Sequence, residues 1–313
     1  MSSPVGGRGP ASAIGSERTV TTGGGGVSPL TRGAAFALLA AVALPLAAMP
    51  SAVHAQNWRT VELSRQLRDT AEHRVRVTYG RGRFLLFANE SPLLYEARIR
   101  YDEAAATPKS SFDAASHALE IGVHHDEEAG GGSQHMGEMR LTLAPGVPLD
   151  LDLQLGAVES EIELGGLAVR ELSVDVSASR AIVTFDEPNR TAMRMLDLHA
   201  RAASLTATRL ANANAAEMRF GAGVGSVELD FGGRWSQDIA ATVDVAVGRV
   251  RIRVPEAVGV RVEMSRVLAR FEHPDFGRQG DAYVSANWES AEYRLTLRID
   301  TAFGTVEIER GGD

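Results

Sequence analysis

The sequence predicts an all-β protein: a single-stranded β-solenoid of stacked parallel coils of about 23 residues, preceded by a small β-rich N-terminal module. The first observation is a glycine-led strand at 223–231 that returns at 247–254 and at 303–309. In each copy apolar and charged residues alternate, the period-2 pattern of a strand with one face in solvent. The second observation is the spacing of 23 residues from Val227 to Val250. Constant spacing of this length is typical of stacked β coils.

The composition supports many short strands joined by tight turns. Of 313 residues, 44% are hydrophobic, only 6% are aromatic and 32 are glycine. The chain has no cysteine, so no disulfide framework contributes to its stability. The formal net charge is −8, a sign that disfavours binding of nucleic acid or anionic lipid, because such binding relies on clustered Lys and Arg.

Residues 1–55 are predicted to be an export signal. The segment 33–48 is an almost unbroken run of small apolar residues, and Val53 and Ala55 give a small-x-small cleavage pattern before Gln56. A retained membrane anchor is the alternative, but the run is shorter than the roughly 20 residues that span a bilayer. We therefore expect a periplasmic or extracellular mature chain with no stable membrane anchor. Translation is predicted to begin at Val27.

The mature chain is more acidic than the precursor. Cleavage before Gln56 removes three arginines and Glu17, which leaves 29 basic and 39 acidic residues. The net charge becomes −10, which favours solubility outside the cell.

Residues 56–135 are predicted to form the N-terminal β-rich module. Residues 58–63 alternate as a strand, and 67–73 are predicted to form a helical turn. Residues 74–79 and 83–87 flank the sequence Gly80-Arg-Gly82, the pattern of a β-hairpin. Further strands are predicted at 93–101 and 118–123.

Residues 136–313 are predicted to form the solenoid. Its weakest coil, at 195–208, has Leu205 and Ala207 as its inward pair. A shortened coil is predicted at 258–271, followed by a polar insertion at 272–280 that interrupts the period. The aromatic residues Tyr283, Trp288 and Tyr293 are predicted to cap the open core at the end of the stack, with a ligand platform as the alternative.

The spacing also predicts contacts on the surface. If 23 residues form one coil, Glu228 and Asp230 lie beside Arg251 and Arg253 on the next coil. Exposed pairs of this kind contribute about 0.2–1 kcal/mol each, so they define the register more than they stabilise the fold.

Three histidines suggest a metal site. His124, His125 and His135 accompany the acids at 126–128, and imidazole and carboxylate are common ligands of zinc and related ions. A metal site needs rigid ligands, whereas a triple-glycine stretch between these histidines favours a solvated loop. We therefore predict no metal.

No catalytic set or cofactor is predicted. The sequence Gly221-Ala-Gly-Val-Gly225 lacks the nucleotide-binding spacing and leads into a strand rather than a helix. The acidic pairs Glu159/Glu161 and Asp150/Asp152 lie at distances found in glycosidases. An extracellular carbohydrate-active enzyme that uses such carboxylates is the alternative function.

The mature chain resembles the bacterial toastrack family, the β-solenoid domains of LiaF-type envelope-stress proteins and of proteins described as candidate adhesins. Residues 75–87, 93–102 and 118–123 are similar to the N-terminal toastrack module, and residues 149–164 and the later glycine-led strands are similar to the stacked part. The resemblance implies no catalytic residues. The sequence thus predicts a non-catalytic, adhesin-like or structural module of the cell envelope. Its partner is expected to be an envelope or extracellular protein or polysaccharide.

Overall fold

The computed structural model describes residues 57–89, 91–125, 137–272 and 275–311, and these residues are almost entirely β. The export signal, the start at Val27, His135 and the acids at 126–128 lie outside the described residues. The strands are β1 (Trp58–Gln66), β2 (His73–Ala88), β3 (Leu93–Asp102), β4 (Ala106–Asp113), β5 (Ala118–His125), β6 (Glu138–Leu143), β7 (Pro148–Glu163), β8 (Ala168–Thr184), β9 (Met195–Thr208), β10 (Glu217–Asp230), β11 (Ile239–Pro255), β12 (Gly259–Glu272), β13 (Phe276–Gln279), β14 (Ala282–Ser285) and β15 (Arg294–Gly311). A short 3-10 helix, Leu210–Ala213, follows β9.

The long strands stack in parallel, as the repeat predicts. Their order is β2, β7, β8, β9, β10, β11, β15 and β12, each hydrogen-bonded to the next. Antiparallel strands join the stack at both ends: β4 pairs with β5, β1 with β3, and β14 with β12 and β13. The predicted β-solenoid is confirmed.

Each long strand bends once, near its middle. In β10, Met218 and Phe220 are buried before the bend and Val227 and Leu229 after it, while Val224 at the bend is exposed. The alternation of buried and exposed positions therefore shifts by one residue across the bend. The first halves form one sheet, sheet 1, and the second halves form another, sheet 2. Both sheets bury their side chains in one core, so the outer side of the bend is a convex corner.

The N-terminal strands extend these two sheets. The strand β5 pairs with the first half of β2 and so continues sheet 1, whereas β6 pairs with the second half and continues sheet 2. Along β2, the residues 73–79 and 81–86 pair with β7 on both sides of the bend. This strand, assigned by the sequence to the N-terminal module, is thus itself a coil of the stack.

The core is one continuous apolar cluster from Val75 to Ile308. Leu205 and Ala207 of the weakest coil are 1% and 0% exposed, as predicted. A fully buried Leu, Val, Ile or Phe side chain contributes roughly 1.5–3 kcal/mol. The inward column of these residues is therefore the main source of stability.

Two local predictions for the N-terminal region are wrong. Residues 74–87 form no hairpin, because β2 continues through Gly80-Arg-Gly82 as one bent strand. Gly82 has φ 130°, a conformation that suits a corner as well as a turn. Residues 67–72 form no helical turn, because they connect β1 and β2 irregularly, and the Leu67 N–H donates to the Pro92 carbonyl at 3.1 Å.

The predicted order of the last coils is also wrong. The strand β15 inserts between β11 and β12, so Val250 lies beside Val306 rather than beside a residue of the next coil in sequence. The predicted short coil is one long strand, β12. Part of the predicted polar insertion forms β13, which pairs with β14, and β14 pairs with Arg261–Glu263 of β12. This hairpin completes sheet 1 at that end.

Candidate interaction surface

The predicted surface register is confirmed residue by residue. Glu228 lies opposite Arg251, and Asp230 lies opposite Arg253. The Arg251 guanidinium lies 3.9 Å from Glu228, but only 3.3 Å from Glu307 on the other side. The arginines of β11 therefore lie between two acidic strands, and the charges of this part of sheet 2 neutralise each other.

Arginines also neutralise three of the four acids that suggested glycosidase chemistry, all except Glu159. Asp152 lies 2.8 Å from Arg76, and Glu161 lies 2.8 Å from Arg83 on the adjoining strand β2. Each of these acids is thus held in an ion pair between neighbouring strands. This arrangement is typical of a structural role in register.

Asp150 belongs to a small network of its own. One Arg194 nitrogen lies within 2.9 Å of Asp150 and 3.5 Å of Glu72. Burial and the hydrogen bond with Glu72 raise the pKa of Asp150. Burial alone would raise the pKa of Glu72, but the hydrogen bond with Asp150 and the charges of Arg194 and Arg170 lower it. The two pKa values are therefore shifted in opposite directions, and Arg194 contacts both carboxylates.

This network lies outside the two clefts described next. Their volumes are about 580 and 740 Å³. One is lined by Phe271, Glu272, Asp275 and residues 307–310, and the other by Arg76, Thr78, residues 108–111 and residues 120–122. Neither contains Asp150 or Glu72. A carboxylate pair outside a substrate groove, with arginine bound to it, is typical of surface ion networks.

Of the three histidines considered as metal ligands, only His124 and His125 lie within the described residues. His124 is exposed at the end of β5, whereas His125 is partly buried, and burial followed by the charge of Arg81 lowers its pKa. Among the described residues no three His, Asp or Glu side chains have the arrangement of a metal site. The sequence Gly221–Gly225 lies within β10, in agreement with its exclusion as a phosphate loop.

The predicted aromatic cap lies at the end of the stack only in part. Tyr283 of β14 packs edge-on against Phe271 of the last long strand, with ring centroids 4.9 Å apart. The backbone of Trp288 lies against Gly259. The ring centroid of Tyr293 lies 6.4 Å from that of Trp235, in the loop before β11. All three residues are half-buried, so they form no open platform of stacked rings.

The convex corner has a surface composition and a backbone structure of its own. It is built on glycines in register: Gly225 lies beside Gly248, which lies beside Gly304. A Cβ atom on Gly248 would overlap the carbonyl oxygen of Gly225, and one on Gly304 would overlap that of Gly248. The strands can approach this closely only because these positions lack side chains.

The residue before each of these glycines is apolar and points into solvent. Val224, Val247 and Phe303 are 59%, 43% and 49% exposed, and they are the exposed large hydrophobic residues of the described chain. They lie side by side on adjacent strands. We call these three residues the corner ladder. An isolated exposed valine is ordinary, whereas these three side chains form one contiguous apolar patch.

The charge around the ladder differs from the rest of the surface. We call the seven segments 80–83, 156–159, 177–180, 201–204, 223–226, 246–249 and 302–305, which lie at the corner on successive strands, the corner band. The band contains a single acid, Glu159, and five exposed arginines: Arg81, Arg83, Arg180, Arg201 and Arg249. In a chain with 40 acidic residues, this band is a basic stripe.

Two of the five arginines are engaged in ion pairs. Arg83 pairs with Glu161 at 2.8 Å, and Arg201 pairs with Asp175 at 3.0 Å. The other three have no ion-pair partner among the described residues. The band thus combines free positive charge with exposed hydrocarbon.

Reasoning from the sequence missed this site, although a signal was present. Each repeat copy has a large apolar residue directly before its corner glycine, as in Val224-Gly225, Val247-Gly248 and Phe303-Gly304. That residue continues the buried side of neither half of the strand, because the alternation of buried and exposed positions shifts by one residue at the bend. The signal is a large apolar residue that directly precedes a glycine at the point where the alternation of buried and exposed positions shifts by one residue. This signal would have predicted the ladder.

Two bent sheets, one core and a repeated corner define this protein as a two-faced β-solenoid, a repeat scaffold. The family model for the N-terminal domain of toast_rack, DUF2154, matches residues 54–197. This match over residues 54–197 confirms the predicted resemblance to a toastrack-type family. Among curated protein sequences, none matches this chain.

Several solved structures are similar to this chain. A candidate cell adhesion protein from Clostridium sporogenes has 14% identity and a TM-score of 0.42, over 82% of this chain and 100% of that one. A candidate adhesin from Parabacteroides merdae has 12% identity and a TM-score of 0.37, over 80% and 96% of the two chains. One from Bacteroides fragilis has 12% identity and a TM-score of 0.36, over 82% and 98%.

Proposed function

We propose that this chain is a non-catalytic, exported interaction module of the bacterial envelope, and that its corner band is the contact surface. The corner ladder is the observation that carries the proposal. Contact of neighbouring apolar side chains with water is unfavourable, and binding to a partner would remove these three side chains from water. Elsewhere on the described surface no other large hydrophobic side chain is exposed.

The carboxylates support the non-catalytic part of the proposal. Enzymes that cleave glycosides place two carboxyl groups on either side of a bound sugar. Here Asp152 and Glu161 are each bound by an arginine at 2.8 Å, and the perturbed pair Asp150 and Glu72 is bound by Arg194 outside either cleft. These groups are suited to holding strands in register.

Export belongs to the same proposal and has its own test. If residues 1–55 are a cleaved signal, the protein recovered from the producing cell begins at Gln56. N-terminal sequencing of that protein checks this directly, and a mature chain that retains residues 33–48 would contradict it.

The contact surface is tested by binding to a bacterial envelope fraction. The labelled chain is compared with a ladder variant, Val224→Ser, Val247→Ser and Phe303→Ser. The matched control is Ala240→Ser with Arg219→Gln, at exposed positions of sheet 1. We expect the ladder variant to lose binding and the control to keep it. Equal binding of all three proteins would refute the corner as the contact surface.

A further inference from the structure

We infer that the corner band binds the surface of an anionic lipid bilayer, with the ladder inserted among the lipids and the arginines at the phosphates. This inference rests on the proposed function, because it names the occupant of the same surface. It is argued from the shape of the corner, the size of the apolar patch and the distribution of charge.

Shape is the first argument. The corner is convex, because the two halves of each long strand bury their side chains in the same core and the bend faces outward. Val224, Val247 and Phe303 lie on this ridge and line neither of the two clefts. A ridge cannot enclose a small ligand, since such sites are concave. It can, however, enter a deformable phase such as the headgroup region of a bilayer.

The size of the patch is the second argument. Three side chains that are each about half exposed provide far less area than the roughly 800 Å² per partner that a stable protein interface buries. A second copy of this chain, docked ladder to ladder, would therefore form no stable dimer. Insertion into a bilayer needs only a few apolar side chains when basic residues assist it.

Charge complementarity is the third argument. At the four strands around the ladder, the band segments 201–204, 223–226, 246–249 and 302–305 contain two arginines and no acid. Further along the corner lie Arg81, Arg83 and Arg180. An arginine near an anionic membrane surface strengthens binding by roughly 1 kcal/mol, about fivefold. The overall negative charge, which disfavours anionic lipid, is an average over the whole surface, whereas the band itself contains five arginines and one acid, Glu159.

The dimensions of the stripe are consistent with a planar target. Seven parallel strands at a spacing of about 4.8 Å extend over about 30 Å, and the ladder occupies one end of this length. The apolar end would insert, and the arginine-rich end would lie along the headgroups. Because no charge is moved into hydrocarbon, this binding is peripheral and reversible.

The first test measures flotation of the full chain with vesicles. One set contains phosphatidylglycerol and phosphatidylethanolamine, and the other contains phosphatidylcholine alone. We expect binding to the anionic set only. The ladder variant should lose about tenfold or more, because three apolar side chains no longer insert. Arg180→Gln with Arg249→Gln should lose about 25-fold, whereas Arg219→Gln with Arg234→Gln, which removes equal charge elsewhere, should lose little.

The second test locates the contact. The natural chain has no cysteine, so Val247→Cys accepts one environment-sensitive fluorophore at the ladder, and Ser173→Cys accepts one on sheet 1. We expect a blue shift with anionic vesicles from position 247 alone. This readout cannot arise from residues 1–55, which are the same in both proteins.

Three results would overturn the inference. They are the absence of vesicle binding, binding that the ladder variant leaves unchanged, and a response from position 173 rather than 247. Binding of soluble alginate together with the absence of vesicle binding would assign the band to an acidic polysaccharide instead. If the chain does not bind vesicles, but the ladder variant still loses binding to the envelope fraction, the proposed function is supported and the assignment to lipid is refuted.

Discussion

The carbonyl oxygen of Gly225 occupies the space that a Cβ atom on Gly248 would need, on the adjacent strand of the same corner. The corner therefore depends on the absence of a side chain, and a repeated glycine here has a packing cause.

Substitution at this position tests the corner directly. Gly248→Ala should lower the free energy of unfolding by about 1–3 kcal/mol, because the added methyl group must displace the backbone of the neighbouring strand. Chemical denaturation measures the change. Gly146→Ala is the matched control, since no atom lies within 4 Å of its added Cβ, and it should cost less than about 0.5 kcal/mol. Equal costs for the two variants would contradict the close approach.

The repeat predicts a change of chain direction at these glycines, but not whether that change is a corner or a hairpin turn. A glycine before an alternating strand indicates a turn or a corner, and the conformation of Gly82 suits both. The sequence around Gly80 and Gly82 therefore predicts a hairpin, whereas the strand continues through these residues. Whether the chain reverses depends on the pairing of the strands on either side, which is a tertiary property.

The register within the repeat was predictable, because a shift of one residue would turn every apolar side chain outward. Glu228 lies opposite Arg251 for this reason. The position of β15 was not predictable from the same logic. The repeat copies that contain Val227 and Val306 resemble the copy that contains Val250 equally well. Their spacing therefore does not determine whether a later copy inserts between two earlier strands.

Burial separates the ladder from the core at neighbouring positions of one strand. Ile252 is 0% exposed and Val247 is 43% exposed. Ile252→Ala should destabilise the protein by about 2–5 kcal/mol, whereas Val247→Ala should change stability by no more than about 0.5 kcal/mol. Thermal and urea unfolding measure both. A large cost at Val247 would mean that the ladder stabilises the fold rather than serving a partner.

The ion pairs of β11 should contribute unequally. Arg251 lies 3.3 Å from Glu307 and 3.9 Å from Glu228. Glu307→Gln should therefore cost more than Glu228→Gln, each within the range of about 0.2–1 kcal/mol for exposed pairs. Double-mutant cycles with Arg251→Gln isolate the two coupling energies. Both should shrink in 1 M salt, and a larger coupling for Glu228 would contradict this geometry.

The pH dependence of stability should report on Asp244. Its carboxylate lies beside Asp300 on the next strand of sheet 1. Partial burial, the larger influence, and the charge of Asp300 raise the pKa of Asp244, while His199 opposes them. The folded state therefore binds this proton more tightly than the unfolded state. The stabilising contribution is complete below the unfolded pKa, about 3.9, and is lost as the pH rises through the folded pKa.

At neutral pH the ionised Asp244 is thus a destabilising group, and Asp244→Asn should raise the free energy of unfolding. The advantage of the variant should decline on acidification toward pH 4, because the native carboxyl group then becomes protonated and neutral as well. Urea unfolding at pH 7 and pH 4 measures the difference. Asp281→Asn, at an exposed position of the loop before β14, is the control for loss of one carboxylate and should change the free energy of unfolding by less than about 0.5 kcal/mol at pH 7. If Asp244→Asn destabilises the protein at pH 7, the carboxylate has a favourable partner, and the repulsion between strands β11 and β15 is not what limits stability there.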